Sequence, residues 1–266
     1  ILFLLLPEWA IDLPPYNIAR LSAIVNEAGY TSSCLDLNVE VYQKSRSWEK
    51  DGIVPFDGFN PNNLTKWEIN EYPKYLEKPV SKVLTPYIDK IVKANPKVIG
   101  FTVYYCNEGP VQWFASELRK RLPNTVFICG GPNLHFRQDD IEKGKLYSLN
   151  NKPIFQYGIV GESESIILDV LEEIDNGNMN HEGMKFLTQP ITQKLNINNF
   201  PIPNYEDFDF SKYSFPNGLL TEFSRGCTAK CTFCSETHFW KYRQRDTKSA
   251  LDEVEHLYKT KGTSVI

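Results

Sequence analysis

The stretch KVIGFTVYYCNEGPVQWFASELRKRLPNTVFICGGP, residues 97–132, decides how the chain is read. Lys97–Tyr104 (KVIGFTVY) is an apolar run suited to a buried strand. Gly109–Leu122 reads as a helix, and Thr125–Cys129 (TVFIC) as a second strand running into Gly130-Gly131-Pro132. Two apolar runs joined through a helix form a β-α-β unit, whose strands lie parallel. The same alternation extends on both sides. Ile1–Leu6 (ILFLLL) is a continuous apolar run of the kind that fills a parallel strand. Pro14-Pro15 opens a helix on which Ile18, Leu21, Ile24 and Val25 recur at helical spacing, with Gly29 where a C-terminal cap belongs. Tyr30–Leu37 reads as a strand and Val80–Ala94 as a helix. Phe155–Val160 is the last strand, followed by Gly161-Glu162-Ser163-Glu164 and a helix through Ile174. Five strands alternating with helices predict an α/β, doubly wound parallel sheet of Rossmann or flavodoxin type, with ligands at the carboxyl ends of its strands.

The organisation that follows is a sheet domain over residues 1–177, a linker over 178–217 and a further unit over 218–266. A polar insertion at about 38–79, with scattered aromatics, is either a lid or a long decorated connection. The linker is marked by Pro190, Pro201, Pro203 and Pro216 among Asn and Asp residues. In the last unit, Leu219–Phe223 is expected as a strand, Ser249–Lys259 as a helix and Ser264-Val265-Ile266 as the start of another strand. The chain opens without Met and stops on strand-like sequence, so both ends are expected to be truncated.

Composition narrows the function. With 41% hydrophobic and 23% charged residues, the chain can bury a core. A net charge of -4 provides no field for nucleic acid or an anionic membrane. No apolar run approaches the roughly 20 residues needed to cross a bilayer, and a cytoplasmic location is expected.

Three of the six cysteines, Cys227, Cys231 and Cys234, fall within eight residues at the spacing Cys-x3-Cys-x2-Cys. Three thiolates on one short loop can each hold an iron of a four-iron four-sulfur cube, leaving the fourth iron open to a substrate or cofactor. The alternative is a structural zinc site completed by His238, although structural zinc sites usually combine two separated ligand pairs. Cys34, Cys106 and Cys129, on or beside expected strands, read as packing residues.

Ser224-Arg225-Gly226-Cys227, followed by Cys231-Thr232-Phe233-Cys234 after a strand, resembles the signature of radical S-adenosylmethionine (SAM) enzymes. The upstream features Pro14-Pro15, Asp36-Leu37-Asn38, Gly130-Gly131-Pro132 and Gly161-Glu162-Ser163-Glu164, in that order, resemble the cobalamin-binding domain that precedes the barrel in one branch of that family. The resemblance implies a 4Fe-4S cluster on Cys227, Cys231 and Cys234, with Phe233 beside the adenine of SAM and Gly226 letting the loop turn. Arg225 is expected to support the loop or the cluster's charge, or to have no special role.

On the cobalamin side the expected residues are Thr102, Gly130, Gly131, Pro132, Gly161 and Glu162. Each has an ordinary alternative as part of a strand-to-helix turn. Methionine-synthase-like domains take a lower-face His from an Asp-x-His-x-x-Gly loop after the first strand. Here that loop reads Pro7-Glu8-Trp9-Ala10-Ile11-Asp12, and none of the four His falls in it. Bound cobalamin is therefore expected to lack a His ligand from this domain.

The implied chemistry is reductive cleavage of SAM to a 5'-deoxyadenosyl radical, with methyl transfer to an unactivated carbon as the leading outcome. Radical cyclisation or rearrangement is the second expectation, and a non-catalytic, zinc-stabilised binding module the third. The implied partners are a small-molecule substrate and an electron donor such as flavodoxin or ferredoxin. A complete barrel takes about 200 residues, so residues 218–266 hold only its opening, and this span alone is expected to be inactive.

Overall fold

A computed structural model describes residues 1–46, 59, 61–179, 183–189, 195–229, 231–234, 240–261 and 264–265. In chain order it runs β1 (Leu2–Leu5), α1 (Tyr16–Glu27), β2 (Ser33–Asp36), α2 (Leu37–Ser45), α3 (Tyr72–Tyr75), α4 (Glu77–Ala94), β3 (Val98–Thr102), α5 (Glu108–Arg121), β4 (Val126–Gly130), α6 (Leu134–Glu142), the two-residue hairpin strands β5 (Ser148–Leu149) and β6 (Lys152–Pro153), β7 (Tyr157–Val160), α7 (Ile167–Asp175) and β8 (Lys185–Thr188). Six strands form one parallel sheet in the order β2-β1-β3-β4-β7-β8. This is the expected doubly wound fold in its flavodoxin-like order.

Alternate residues of the buried strands feed two cores. Leu4, Phe101, Phe127 and Cys129 pack with Leu84 and Ile88 of α4 and Phe114 and Leu118 of α5. Phe3, Leu5, Ile128 and Ile159 pack on the other face with Ile18 and Val25 of α1 and Val170 and Leu171 of α7. Gly29 follows α1 with φ +91°, a left-handed geometry that glycine adopts without steric cost.

Two expectations change. Residues 178–217 are more than a linker: Lys185–Thr188 is the sixth parallel strand, and Tyr205, Phe208 and Tyr213 are buried in the second core. None of its four residues is fully buried, so it carries too little apolar periodicity to stand out in sequence. The insertion at about 38–79 also contributes core. α2 occupies its start, and Trp67 and Tyr72 are fully buried. Gly109 of α5 makes room for them, since a Cβ there would stand 2.3 Å from Tyr72 Cβ and 2.7 Å from the Trp67 carbonyl oxygen. Residues 47–58 and 60 of that insertion lie outside the described residues.

After the sheet come β9 (Gly218–Leu219), β10 (Ser224–Arg225), β11 (Arg243–Gln244), a helix α8 (Thr247–Lys261) and β12 (Ser264–Val265). β12 pairs parallel with β9, so β9, α8 and β12 make one β-α-β unit of the kind that opens a (β/α) barrel. The expected strand 219–223 is shorter because its second half turns aside: Arg245 Nη1 donates to the Glu222 carbonyl at 3.3 Å and Arg245 N–H to that of Phe223 at 2.9 Å. β10 pairs antiparallel with β11 and brackets the cysteine loop. Leu219 and Leu257 join the second core of the sheet domain, which seats this unit against it. Among the described residues no helix is long and apolar enough to cross a membrane.

Candidate functional site

Register fixes the floor of the site. Leu5, Thr102, Gly130 and Ile159 stand side by side across β1, β3, β4 and β7 at their carboxyl ends. A cavity of about 840 Å³ opens above this row. Thr102, Gly130, Gly131, Pro132 and Gly161 all line it, as does Gly226 from the cysteine side. Trp9, Tyr104 and Trp240 make its walls strongly aromatic. A volume of this order, apolar and set at the strand ends, is typical of a cofactor site.

The glycines also have reasons of their own. A Cβ on Gly131, whose φ is +127°, would stand 2.4 Å from the Val103 carbonyl oxygen, and one on Gly130 would stand 3.2 Å from Ser163 Oγ. Packing of β4 against the loop after β3 therefore accounts for Gly131 without a ligand. Thr102 is held too, because Asn17 Nδ2 donates to its Oγ1 at 3.2 Å.

Glu162 is placed differently from the other sheet-side residues. It is buried and does not appear on the cavity wall; its carboxylate turns to the cysteine unit instead. Oε1 accepts from Arg225 Nη1 at 3.2 Å and from Arg243 Nη2, while Gln189 Nε2 donates to Oε2 at 3.2 Å. Arg225 further pairs with Glu164 at 2.8 Å and with Glu222 at 2.6 Å. Burial alone would push the Arg225 guanidinium toward its neutral form. Glu164 and Glu222 outweigh that and hold its pKa above the usual value.

A second cluster, deeper in the interface, joins α1 to α8. Glu253, fully buried, accepts from Arg20 at 2.9 Å, from Arg245 at 2.8 Å and from Thr221 Oγ1 at 2.5 Å. Tyr16 links the two clusters: its hydroxyl accepts from Arg20 Nε at 3.1 Å and donates to Glu222 Oε2 at 3.5 Å. Four arginines (Arg20, Arg225, Arg243, Arg245) thus meet four glutamates (Glu162, Glu164, Glu222, Glu253), and the interface is charge-balanced. Burial of ions is tolerable only with this degree of pairing.

The cysteine loop begins directly after Arg225. Gly226 has φ +78°, and a Cβ on it would stand 2.7 Å from the Lys241 backbone, so the loop closes tightly on the strand that returns beneath it. Cys227 and Cys231 are exposed and Cys234 is half-buried. Ala229 N–H donates to Cys227 Sγ at 3.4 Å, and Cys234 N–H to the Cys231 carbonyl at 3.1 Å. Among the described residues no three His, Cys, Asp or Glu side chains converge as a ready metal site. The donor set itself fits an iron-sulfur cube: three accessible thiols on one continuous loop, with a backbone N–H already directed at sulfur. Phe233 is 91% exposed and lies outside the cavity wall. Lys230 and residues 235–239, with the candidate zinc ligand His238, lie outside the described residues.

The other cysteines are unlike these. Burial pushes the Cys34 thiol up to about 12 and the Cys129 thiol well above its usual value, so both sit as neutral packing groups. Cys106, half-buried, is likewise pushed up to about 12 by burial, with the Glu8 carboxylate adding to it.

Several residues of the site escaped the sequence. Asn17, Trp9, Tyr104, Glu222 and Arg243 carry no motif, and their partners are distant in the chain.

No protein-family model matches the chain. It is 30% identical over 165 residues to the anaerobic magnesium-protoporphyrin IX monomethyl ester cyclase of Synechocystis, an alignment covering 56% of this chain and 31% of that protein. It is 22% identical over 295 residues to the cytidylyl-2-hydroxyethylphosphonate methyltransferase of Streptomyces wedmorensis, covering 92% and 49% respectively. The chain thus spans a third to a half of the length of these curated relatives. Among solved structures, the radical SAM methyltransferase TsrM of Kitasatospora setae, bound to tryptophan and a SAM analogue, superposes with a TM-score of 0.57 at 16% identity. The match covers 98% of this chain and 46% of TsrM. A second TsrM structure, with cobalamin and a 4Fe-4S cluster bound, gives a TM-score of 0.56. The structural likeness establishes a shared fold with TsrM, and the curated relatives add sequence similarity to a cyclase and a methyltransferase.

Proposed function

We propose that this chain is the cofactor-binding part of a radical SAM enzyme that uses a 4Fe-4S cluster and cobalamin to transfer a methyl group to an unactivated centre of a small molecule. The observation that carries the proposal is that one cavity is bounded on one side by the carboxyl ends of the sheet and on the other by Glu222, Arg225 and Gly226, which lead into the three cysteines. Two cofactors held on those two sides face each other across a single space.

When bound, the cluster would supply the electron that cleaves SAM reductively, and cobalamin would supply a methyl carrier. The chain's residues hold and enclose these groups. Cys227, Cys231 and Cys234 would ligate the cluster, Gly226 lets their loop fold over Trp240 and Lys241, and Phe233 stands exposed on the same loop, where an adenine would pack on it. Thr102, Gly130, Gly131, Pro132 and Gly161 line the cavity and would form the floor for the corrin. Glu162 serves the site from behind, anchoring the cysteine unit through Arg225 and Arg243. The aromatic walls keep water from the space in which a radical must survive.

Similarity to the protoporphyrin ester cyclase favours radical cyclisation as a second reading. Product analysis on the full-length protein separates the two. Methyl transfer releases S-adenosylhomocysteine, whereas cyclisation yields 5'-deoxyadenosine and methionine without it. The first test is anaerobic reconstitution: about four irons and four sulfides per chain are expected, with cobalamin retained through gel filtration. One zinc and no sulfide would identify a zinc-stabilised module and overturn the proposal.

A further inference from the structure

The cavity wall contains a ring pair whose stacking the reading above does not use. Trp9, in the loop after β1, and Tyr104, in the loop after β3, stack with centroids 3.8 Å apart and planes 10° from parallel. Both rings are half-buried and both line the cavity. β1 and β3 are neighbours in the sheet, and the chain leaves them in opposite directions, to β2 on one side and to β4 on the other. Doubly wound sheets open their ligand crevice at that switch point.

The pair is fixed from several directions. Asn38 Oδ1 accepts from Trp9 N–H at 3.0 Å, and Asn38 Nδ2 donates to the Trp9 carbonyl at 3.1 Å. The two loops are tied to each other: Glu8 N–H donates to the Cys106 carbonyl at 3.4 Å and the Cys106 thiol to the Glu8 carbonyl at 3.1 Å. Asn17 Nδ2 donates to the Tyr104 hydroxyl at 3.4 Å, and Tyr104 N–H to Asn107 Oδ1 at 2.8 Å. A ring pair serving only to fill the core would be covered, but this one is anchored through its backbone and left open to a cavity. Rings already fixed lose little freedom when a ligand stacks on them.

We infer that the Trp9–Tyr104 stack is a platform for the flat face of a large conjugated ring bound at the switch point of the sheet. The ligand's class rests on the function proposed above, which makes it the corrin ring. Indole offers only a donor N–H, and burial keeps the Tyr104 phenol protonated, so the contact is by ring faces and edges and not by ligation of a metal.

The test uses hydroxocobalamin as the probe, titrated into the anaerobically reconstituted protein and followed by visible absorption and gel filtration. Wild type is expected to retain it. Trp9→Ala is expected to raise Kd about tenfold or more, and Trp9→Phe to stay within about threefold of wild type, with the iron content of both unchanged. Trp9→Leu, which keeps apolar bulk without a ring, is expected to bind like Trp9→Ala, and it decides alone if Trp9→Ala loses its iron. Trp9→Leu binding as tightly as Trp9→Phe overturns the platform and leaves the proposed function standing. Failure of wild type to retain cobalamin at saturation overturns that function, and this inference with it.

Discussion

Arg225 Nη1 lies 3.2 Å from Glu162 Oε1, so the residue two before the first clustered cysteine is ion-paired to the residue two past the end of β7. This contact fixes the cysteine loop relative to the floor of the sheet. Arg225 also holds Glu164 and Glu222, and Glu162 also holds Arg243. The loop is thereby positioned by charge pairs spanning two parts of the chain.

Replacing Arg225 by Gln leaves three carboxylates short of a partner in a site where the guanidinium is only 12% exposed. Breaking a buried pair from one side costs about 3–5 kcal/mol. Arg225→Gln is expected to lower the denaturation midpoint and to lose iron during gel filtration. Arg225→Lys should fall between, because a single ammonium cannot serve three carboxylates in a fork geometry. A variant with wild-type iron content and midpoint would show that the clamp does not position the loop.

Cys231 lies between the other two thiols in sequence and is exposed on the loop. A cube held by two thiolates is labile, so Cys231→Ala is expected to drop iron and sulfide to well under half of wild type after anaerobic desalting. Cys34→Ala should leave both unchanged, since that thiol is buried in the sheet core and donates to the Ile18 carbonyl at 3.3 Å.

The sheet was legible wherever strands are buried on both faces. Residues 97–132 read as strand, helix and strand and fold as β3, α5 and β4 with bounds shifted by one or two residues. Lys185–Thr188 was not legible, because an edge strand half open to solvent needs no continuous apolar run. Nor was the burial of Trp67 and Tyr72: scattered aromatics in a polar stretch give no period, and only Gly109, far along the chain, makes their space. The cysteine spacing declared itself because its ligands must share one loop. Arg225 and Glu162 stand 63 positions apart, and long-range ion pairs leave no local pattern in a sequence.

Glu8 gives the protein a pH dependence with a definite sign. Burial raises its pKa to about 7 from 4.5, partly offset by a hydrogen bond from Cys106. Burial likewise raises buried Asp36 to about 6 from 3.8, against the hydrogen bond from Tyr213. In both cases the folded state holds its proton more tightly than the unfolded one, so stability from these groups is full below about pH 4 and declines as pH rises to about 7. Glu8→Gln is expected to flatten the part of the decline between about pH 5 and 7 in thermal unfolding of the apoprotein. An unchanged slope would place the titration elsewhere.

Gly131 and Gly29 both adopt positive φ, at +127° and +91°, and differ in what surrounds them. A Cβ on Gly29 meets nothing within 4 Å, so Gly29→Ala incurs only backbone strain of about 1 kcal/mol. A Cβ on Gly131 meets the Val103 backbone at 2.4 Å, at the point where Val103 N–H donates to the Gly130 carbonyl at 2.7 Å. Neither backbone can give way without pulling β3 from β4, so Gly131→Ala adds an overpacking cost of about 1–3 kcal/mol to the same strain. Comparison of the two midpoints in urea should place Gly131→Ala clearly lower, and cobalamin retention should fall with it, because Thr102 and Gly130 share that edge of the floor. Equal midpoints would mean that the loop after β3 yields freely, and the cavity floor would then not be the rigid surface that the proposed corrin site requires.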